Sequence, residues 1–191
     1  MRLAREVGTR ETDATEFQRQ ALEFTAERPE VTWVAWLNAQ RTARAQYAPP
    51  VFRPDTAPPP NPPRLAPDDA ARSESDWAFI ASRDTRQPVY SRAFKDSAGL
   101  QVFQLHVPVL ERGDFAGTLV VEYSVEALMR HFVPSEVTRR HAVDLLDERE
   151  HILSSSVMPL PGQQRQSAAI RHDVPLAPAA NGLVLRGNGY R

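Results

Sequence analysis

The chain has 191 residues, a hydrophobic fraction of 41% and a formal net charge of −1. That length holds one domain or two small ones, and the near-neutral charge without a basic run argues against nucleic acid as the main partner. No cysteine is present, which excludes disulfides, thiolate catalysis and cysteine-ligated zinc.

Residues 1–27 carry apolar side chains at three- and four-residue steps (Leu3, Val7, Ala14, Phe17, Ala21, Phe24), the pattern of an amphipathic helix. Pro29 disfavours helical geometry in the residue before it, so the helix is predicted to end near Arg28. No secretory leader is read at Met1–Glu6, which lacks an apolar stretch. No apolar run reaches the roughly 18–20 residues of a membrane span. The chain reads either as a soluble protein or as a soluble piece of a membrane protein.

Val31–Asn38 is rich in β-formers and predicts a strand, followed by a turn at Ala39–Arg41 and a partner strand over Thr42–Tyr47. Alternation places Trp33, Ala35 and Leu37 on one face and Thr32, Val34 and Trp36 on the other. Nine of the 17 prolines fall between Pro49 and Pro67. Residues 48–67 are therefore expected to form an exposed loop with polyproline character, either a tolerated insertion or a proline-recognition motif. A helix is predicted over Asp68–Ser82, with Asp68 or Asp69 as its cap.

Three strands should follow, at Pro88–Phe94, Gln101–Leu110 and Ala116–Ser124, joined by turns at Lys95–Leu100 and Glu111–Phe115. Val125–Phe132 reads as a short helix and Pro134–Arg140 as another helical turn. Beyond it the signals return to strands: His141–Asp147, His151–Ser155, Ile170–Leu176 and Gly182–Arg186. These form either a small second domain or an extension of the first sheet. Gly187–Gly189 reads as a turn.

This order of elements, with particular residues inside it, resembles the Cache or PAS-like (double-Cache type) extracytoplasmic sensor domains of bacterial sensor histidine kinases. The residues that carry the resemblance are Pro88-Val89-Tyr90-Ser91, Val107-Pro108-Val109, Gly113-Asp114-Phe115-Ala116-Gly117-Thr118-Leu119, Tyr123 to Leu128, and Val143 to Asp147. The resemblance implies an α+β fold. A signalling helix at 1–28 would lead into a membrane-distal PAS/Cache-like antiparallel module at 29–133, then a smaller membrane-proximal β-rich module at 134–191. It also implies a periplasmic location, with membrane helices and an output domain outside this chain.

Within the three-strand stretch, alternation separates Phe103, Leu105 and Val107 from Val102, Gln104 and His106, and Leu119, Val121 and Tyr123 from Val120 and Glu122. One face is wholly apolar and is expected to pack on the N-terminal helix. The other is expected either to line a ligand site or to face solvent. Gln104, His106 and Glu122 are therefore candidate ligand-binding residues, joined by Arg83, Tyr90 and Ser91 from the preceding segment and Trp36 from the first strand. Arg83 with Arg86 could clamp a carboxylate. The expected ligand is a small organic acid or amino acid, and the N-terminal helix is a candidate homodimer contact.

The five histidines show no metal-ligand spacing, and no catalytic, phosphate-loop or dinucleotide fingerprint occurs. No cofactor and no metal are expected. The functions that fit are the sensing region of a histidine kinase, that of a chemoreceptor or cyclic-dinucleotide synthase, or a ligand-free dimerisation module.

Overall fold

Asp13 caps the first helix: its carboxylate accepts the Glu16 amide at 2.8 Å, and α1 runs from Ala14 to Ala26. The computed structural model describes residues 13–50, 69–96, 99–147, 149–156, 171–176 and 182–189. The expected helix over 1–12 and the proline-rich loop beyond residue 50 lie outside them. Phe17, Ala21 and Thr25 recur every four residues and form the buried stripe of α1. The helix stops two residues before its predicted end, with the Arg28 guanidinium donating to the Phe24 carbonyl at 3.1 Å.

The fold is α+β, with two antiparallel sheets. The chain divides into two units at Ser124/Val125. In the first, β1 (Val31–Asn38) and β2 (Ala43–Tyr47) form a hairpin, and the long strands β5 (Gln101–Glu111) and β6 (Asp114–Ser124) form another. Arg112 and Gly113 make the β5–β6 turn with φ of 52° and 90°, the two positive values that a two-residue hairpin turn requires. The sheet order is β2-β1-β6-β5-β3, so the β1–β2 hairpin lies beside β6 and not beside β3, the strand that follows it in sequence.

The predicted strand Pro88–Phe94 is broken into β3 (Val89–Tyr90) and β4 (Phe94–Lys95), both paired with β5. Ser91 is the reason. Its amide donates to the Gln104 carbonyl at 2.8 Å, and its hydroxyl accepts the Gln104 amide at 2.8 Å, so a side chain replaces the next backbone rung.

α1 packs on one face of this sheet, where Phe17 and Ala21 meet Val34, Trp36, Leu105, Val107, Val109, Leu119 and Val121. The helix α2 (Asp69–Thr85) covers the other, where Phe79 meets Trp33, Ala35, Leu37 and Val120. The expected apolar face against the N-terminal helix is present. The polar face is not solvated, because α2 buries it.

The second unit contains α3 (Val125–Phe132), α4 (Ser135–Arg140) and a four-stranded sheet ordered β8-β7-β10-β9, from β7 (His141–Leu146), β8 (Ile152–Ser155), β9 (Arg171–Pro175) and β10 (Val184–Gly189). All four predicted strands form: β7 pairs with β8 and β9 with β10, and β10 joins the two pairs by pairing with β7 as well. This is a sheet of its own. Gly187–Gly189, expected as a turn, lies within β10: Gly187 pairs with Val143 and His172. Val143, Leu145, Leu146 and Leu183 are buried in this unit.

Candidate functional site

The register of the first sheet decides which side chains meet. Gln104 on β5 lies opposite Glu122 on β6, and Glu122 lies opposite Trp33 on β1. His106 lies opposite Val120, and Val120 opposite Ala35. All six project toward α2.

Three of them form a buried hydrogen-bonded chain. Gln104 Nε2 donates to Glu122 Oε2 at 2.9 Å, and Gln104 Oε1 lies 3.2 Å from His106 Nε2. Because the Gln104 amide is spent on a carboxylate, its carbonyl must accept from the imidazole. His106 therefore carries its hydrogen on Nε2 and leaves Nδ1 as an acceptor. The other Glu122 oxygen accepts the Thr32 hydroxyl at 2.9 Å. Gln104, His106 and Glu122 are each at most 5% exposed.

Burial governs the titration of this chain. It pushes the Glu122 carboxyl up, against the Gln104 and Thr32 hydrogen bonds that favour the ionised form. Burial, with the positive charge of Arg41 adding to it, holds His106 down to about 3. At neutral pH the imidazole is uncharged.

Thr32 is present because of a bulge. The β1–β6 register shifts between Val31 and Trp33, so Thr32 and Trp33 together face Glu122. Strict alternation puts Thr32 on the α1 side; the extra residue turns its hydroxyl under α2.

α2 is held over this face at several points. Ser82 Oγ donates to the His106 carbonyl at 3.4 Å. Phe79 meets the imidazole edge-on, ring centroids 6.4 Å apart. Arg41, in the β1–β2 turn with φ of 64°, pairs with Asp76, donates to Ser75 Oγ at 3.1 Å, and lies 5.9 Å from the centre of the Phe79 ring. Arg86, past the helix end, donates to the Gly113 carbonyl in the β5–β6 turn.

The structure gathers four of the seven sequence-predicted site residues and separates three. Ser91 joins Gln104, His106 and Glu122, bound to the Gln104 backbone and 1% exposed. Trp36 is on the opposite face, where its ring lies 6.3 Å from that of Phe17 under α1. Tyr90 is also on that side, because it pairs with Leu105, and it packs 6.1 Å from Phe103. Arg83 is exposed and paired with its neighbour Asp84 at 2.8 Å, so neither Arg83 nor Arg86 enters the network. Thr32, Ser82, Arg41 and Phe79 are the partners that sequence reasoning did not name. Only Phe79 had a signal, in the apolar spacing of its helix.

No protein-family model and no curated protein sequence matches the chain. Solved structures do. The ligand-binding domain of the amino-acid chemoreceptor PctC of Pseudomonas aeruginosa PAO1, in complex with GABA, aligns over 97% of this chain and 86% of its own at 16% identity, with a TM-score of 0.53. That of the Campylobacter jejuni chemoreceptor Tlp3, in complex with L-norvaline, aligns over 98% of this chain and 79% of its own at 12% identity, with a TM-score of 0.59. The extracellular domain mmHK1S-Z2, from a protein assigned as a histidine kinase, aligns over 98% of this chain and 86% of its own at 11% identity, with a TM-score of 0.54. The two-sheet order, the helix on each face of the first sheet and these alignments agree: the chain has the Cache-type fold of bacterial extracytoplasmic sensor domains.

Proposed function

We propose that this chain is the extracytoplasmic, small-molecule-sensing region of a bacterial membrane receptor, of the sensor histidine kinase or chemoreceptor kind. In this reading α1 is the signalling helix, the first unit, which closes at Ser124, is the membrane-distal module, and the second, from Val125, is the membrane-proximal one rather than a module that begins at residue 134. Membrane anchoring comes from segments flanking this chain. The observation that carries the reading is the buried polar network Thr32–Glu122–Gln104–His106 beneath α2, on a sheet whose other face is a plain apolar core. A sheet needing only stability would bury apolar side chains on both faces, since buried polar groups contribute little net stabilisation even when paired. The solved relatives add support, because their ligand-binding domains hold amino acids such as GABA and L-norvaline. Small metabolites of amino-acid size, organic acids included, are the ligands this reading assigns.

Ligand acts by its differential affinity for two packings of α2 on the sheet, which the covalently joined elements transmit. Two copies pair through α1 in the receptor. A thermal-shift screen of amino acids and organic acids tests the reading. A compound that binds the folded state raises its midpoint temperature, and Gln104→Ala should abolish the rise. A screen in which no compound stabilises the protein, or in which the rise survives Gln104→Ala, defeats it.

A further inference from the structure

β9 is an edge strand of the second sheet: among the described residues it pairs with β10 alone. All five of its residues, Arg171–Pro175, are exposed. The other edge strands, β2, β3, β4 and β8, each carry residues that are partly or fully buried. The hydrogen-bond phase fixes which way the β9 backbone faces. The Leu176 amide donates to the Leu183 carbonyl at 3.0 Å, and in an antiparallel ladder such pairs recur at every second residue, here at Val174/Leu185 and His172/Gly187. The N–H and C=O groups of Arg171 and Asp173 therefore point away from β10, toward a side where no described strand lies. Pro175 has no N–H to offer and ends this open stretch. An edge of this kind is a template for another strand.

The side chains on this edge complement their own copy. Arg171 and Asp173 stand two residues apart on one face, with opposite charge. Direct cross-strand partners set Ser155, Asp144, Arg186 and Asp173 in one row from β8 to β9. The charges along that row alternate in sign, so the next strand should supply a cation beside Asp173. Within the chain, Arg171 and Arg186 each lie 2.9 Å from Asp173 and 3.2 Å from Glu150, a balanced set of two cations and two anions. The Arg171 and Asp173 side chains are 48% and 36% exposed, so their bond to each other contributes little and can be shared at small cost. An edge protected by charge of one sign repels its own copy; this edge carries both signs.

We propose that β9 pairs antiparallel with β9 of a second copy of this chain, about a twofold axis at His172, joining two four-stranded sheets into one. Arg171 then lies opposite the partner's Asp173, and Asp173 opposite the partner's Arg171. Each pair exchanges both of its backbone hydrogen bonds, because these are the residues whose backbone faces outward. The row continues as Asp144, Arg186, Asp173 and the partner's Arg171. Two other registers place outward groups against each other. One sets Arg171 against the partner's Arg171 and the other Asp173 against the partner's Asp173, and like-charge repulsion rejects both. The contact is small and therefore reversible. It belongs to the second unit, whereas α1 belongs to the first, and it does not depend on the sensing reading.

Disulfide trapping tests it, since the chain has no cysteine of its own. His172 faces its own copy in a non-hydrogen-bonded pair, with Cα atoms about 4.5 Å apart and within disulfide reach. Val174, exposed on the same face, stands about 14 Å from its own copy, beyond reach. Under mild oxidation the full chain should form a linked dimer as His172→Cys and not as Val174→Cys. In the His172→Cys background, Arg171→Glu and Asp173→Arg should each cut the linked fraction about tenfold. Mixing these two variants, each shown to be folded by circular dichroism, should restore linking as a heterodimer identified by its mass. Arg171→Pro, at the first residue of β9, removes an outward N–H and no β9–β10 hydrogen bond, so it should stay folded and lose linking. Absent linking in His172→Cys, equal linking in Val174→Cys, linking that survives Arg171→Glu or Arg171→Pro, or a mixture of folded variants that fails to restore it overturns the proposal.

Discussion

Gln104 and Glu122 are direct cross-strand partners in the middle of the first sheet, and the Gln104 amide donates to the Glu122 carboxylate at 2.9 Å with both side chains buried. A glutamine beside a buried carboxylate keeps the charge hydrogen-bonded without adding a second one. It also passes direction down the chain, because the amide can donate only from one end.

Breaking this link should be costly. Gln104→Leu leaves a Glu122 oxygen without its donor in a buried setting, a loss of about 1–3 kcal/mol. Glu122→Gln removes the charge at the same place and should cost less. In urea unfolding followed by circular dichroism, the double variant should lose less than the two single losses combined, because the residues share one network. Additive losses would show that the two side chains act independently.

The acid side of the stability profile should depend on His106. Its folded value is held near 3, against 6.5 for the free side chain. Below about 6.5 the unfolded chain takes up a proton that the native imidazole refuses. Stability is therefore complete above that pH and falls toward pH 3, by up to about 1.4 kcal/mol per pH unit from this residue. Glu122 works in the opposite sense: its raised value gives stability at acid pH that is lost as pH rises through the carboxylate range. Urea midpoints between pH 4 and 7 should fall with acid more steeply for the native sequence than for His106→Asn; parallel profiles would rule this out.

Gly117 is indispensable to the way β6 meets β1. Its φ is +148°, and an added Cβ would strike the Leu37 carbonyl and approach the Asn38 Cα to 2.9 Å. Neither backbone atom can swing aside as a flexible side chain would. Gly117→Ala should destabilise the protein by at least about 2 kcal/mol, whereas Gly113→Ala, with open space at its Cβ, should be limited to the strain of its turn. Equal melting temperatures for the two variants would contradict this.

Arg41 should hold α2 in place. Arg41→Ala removes the bonds to Asp76 and Ser75 from the β1–β2 turn. Amide hydrogen exchange over Phe79–Ser82 should speed up, while α1 keeps its protection. Arg83→Ala serves as the control, because an exposed pair with an adjacent aspartate contributes close to nothing.

The sequence by itself determined the elements and the two faces of the long hairpin. Period-two alternation in Gln101–Pro108 and Gly117–Ser124 is a local property, and both strands keep it where their pairing is regular. For that reason Gln104, His106 and Glu122 were legible together, and the apolar partner face could be matched to α1. Tyr90 and Trp36 were misplaced because facing depends on pairing register: Tyr90 lies opposite Leu105, and Trp36 opposite Leu119, both on the α1 side.

Tertiary structure alone decided the rest. The bulge that turns Thr32 toward Glu122 exists only in the pairing of β1 with β6, strands some 90 residues apart in the chain. Arg41 reaches Ser75 across 34 residues, and Ser82 reaches the His106 carbonyl across 24. Such contacts leave no periodic trace, because a single hydroxyl or guanidinium reads the same in sequence whether it meets water or a buried partner. Whether the polar face was wet or dry likewise rested on α2 packing over it, a non-local event that buried the network and left His106 uncharged.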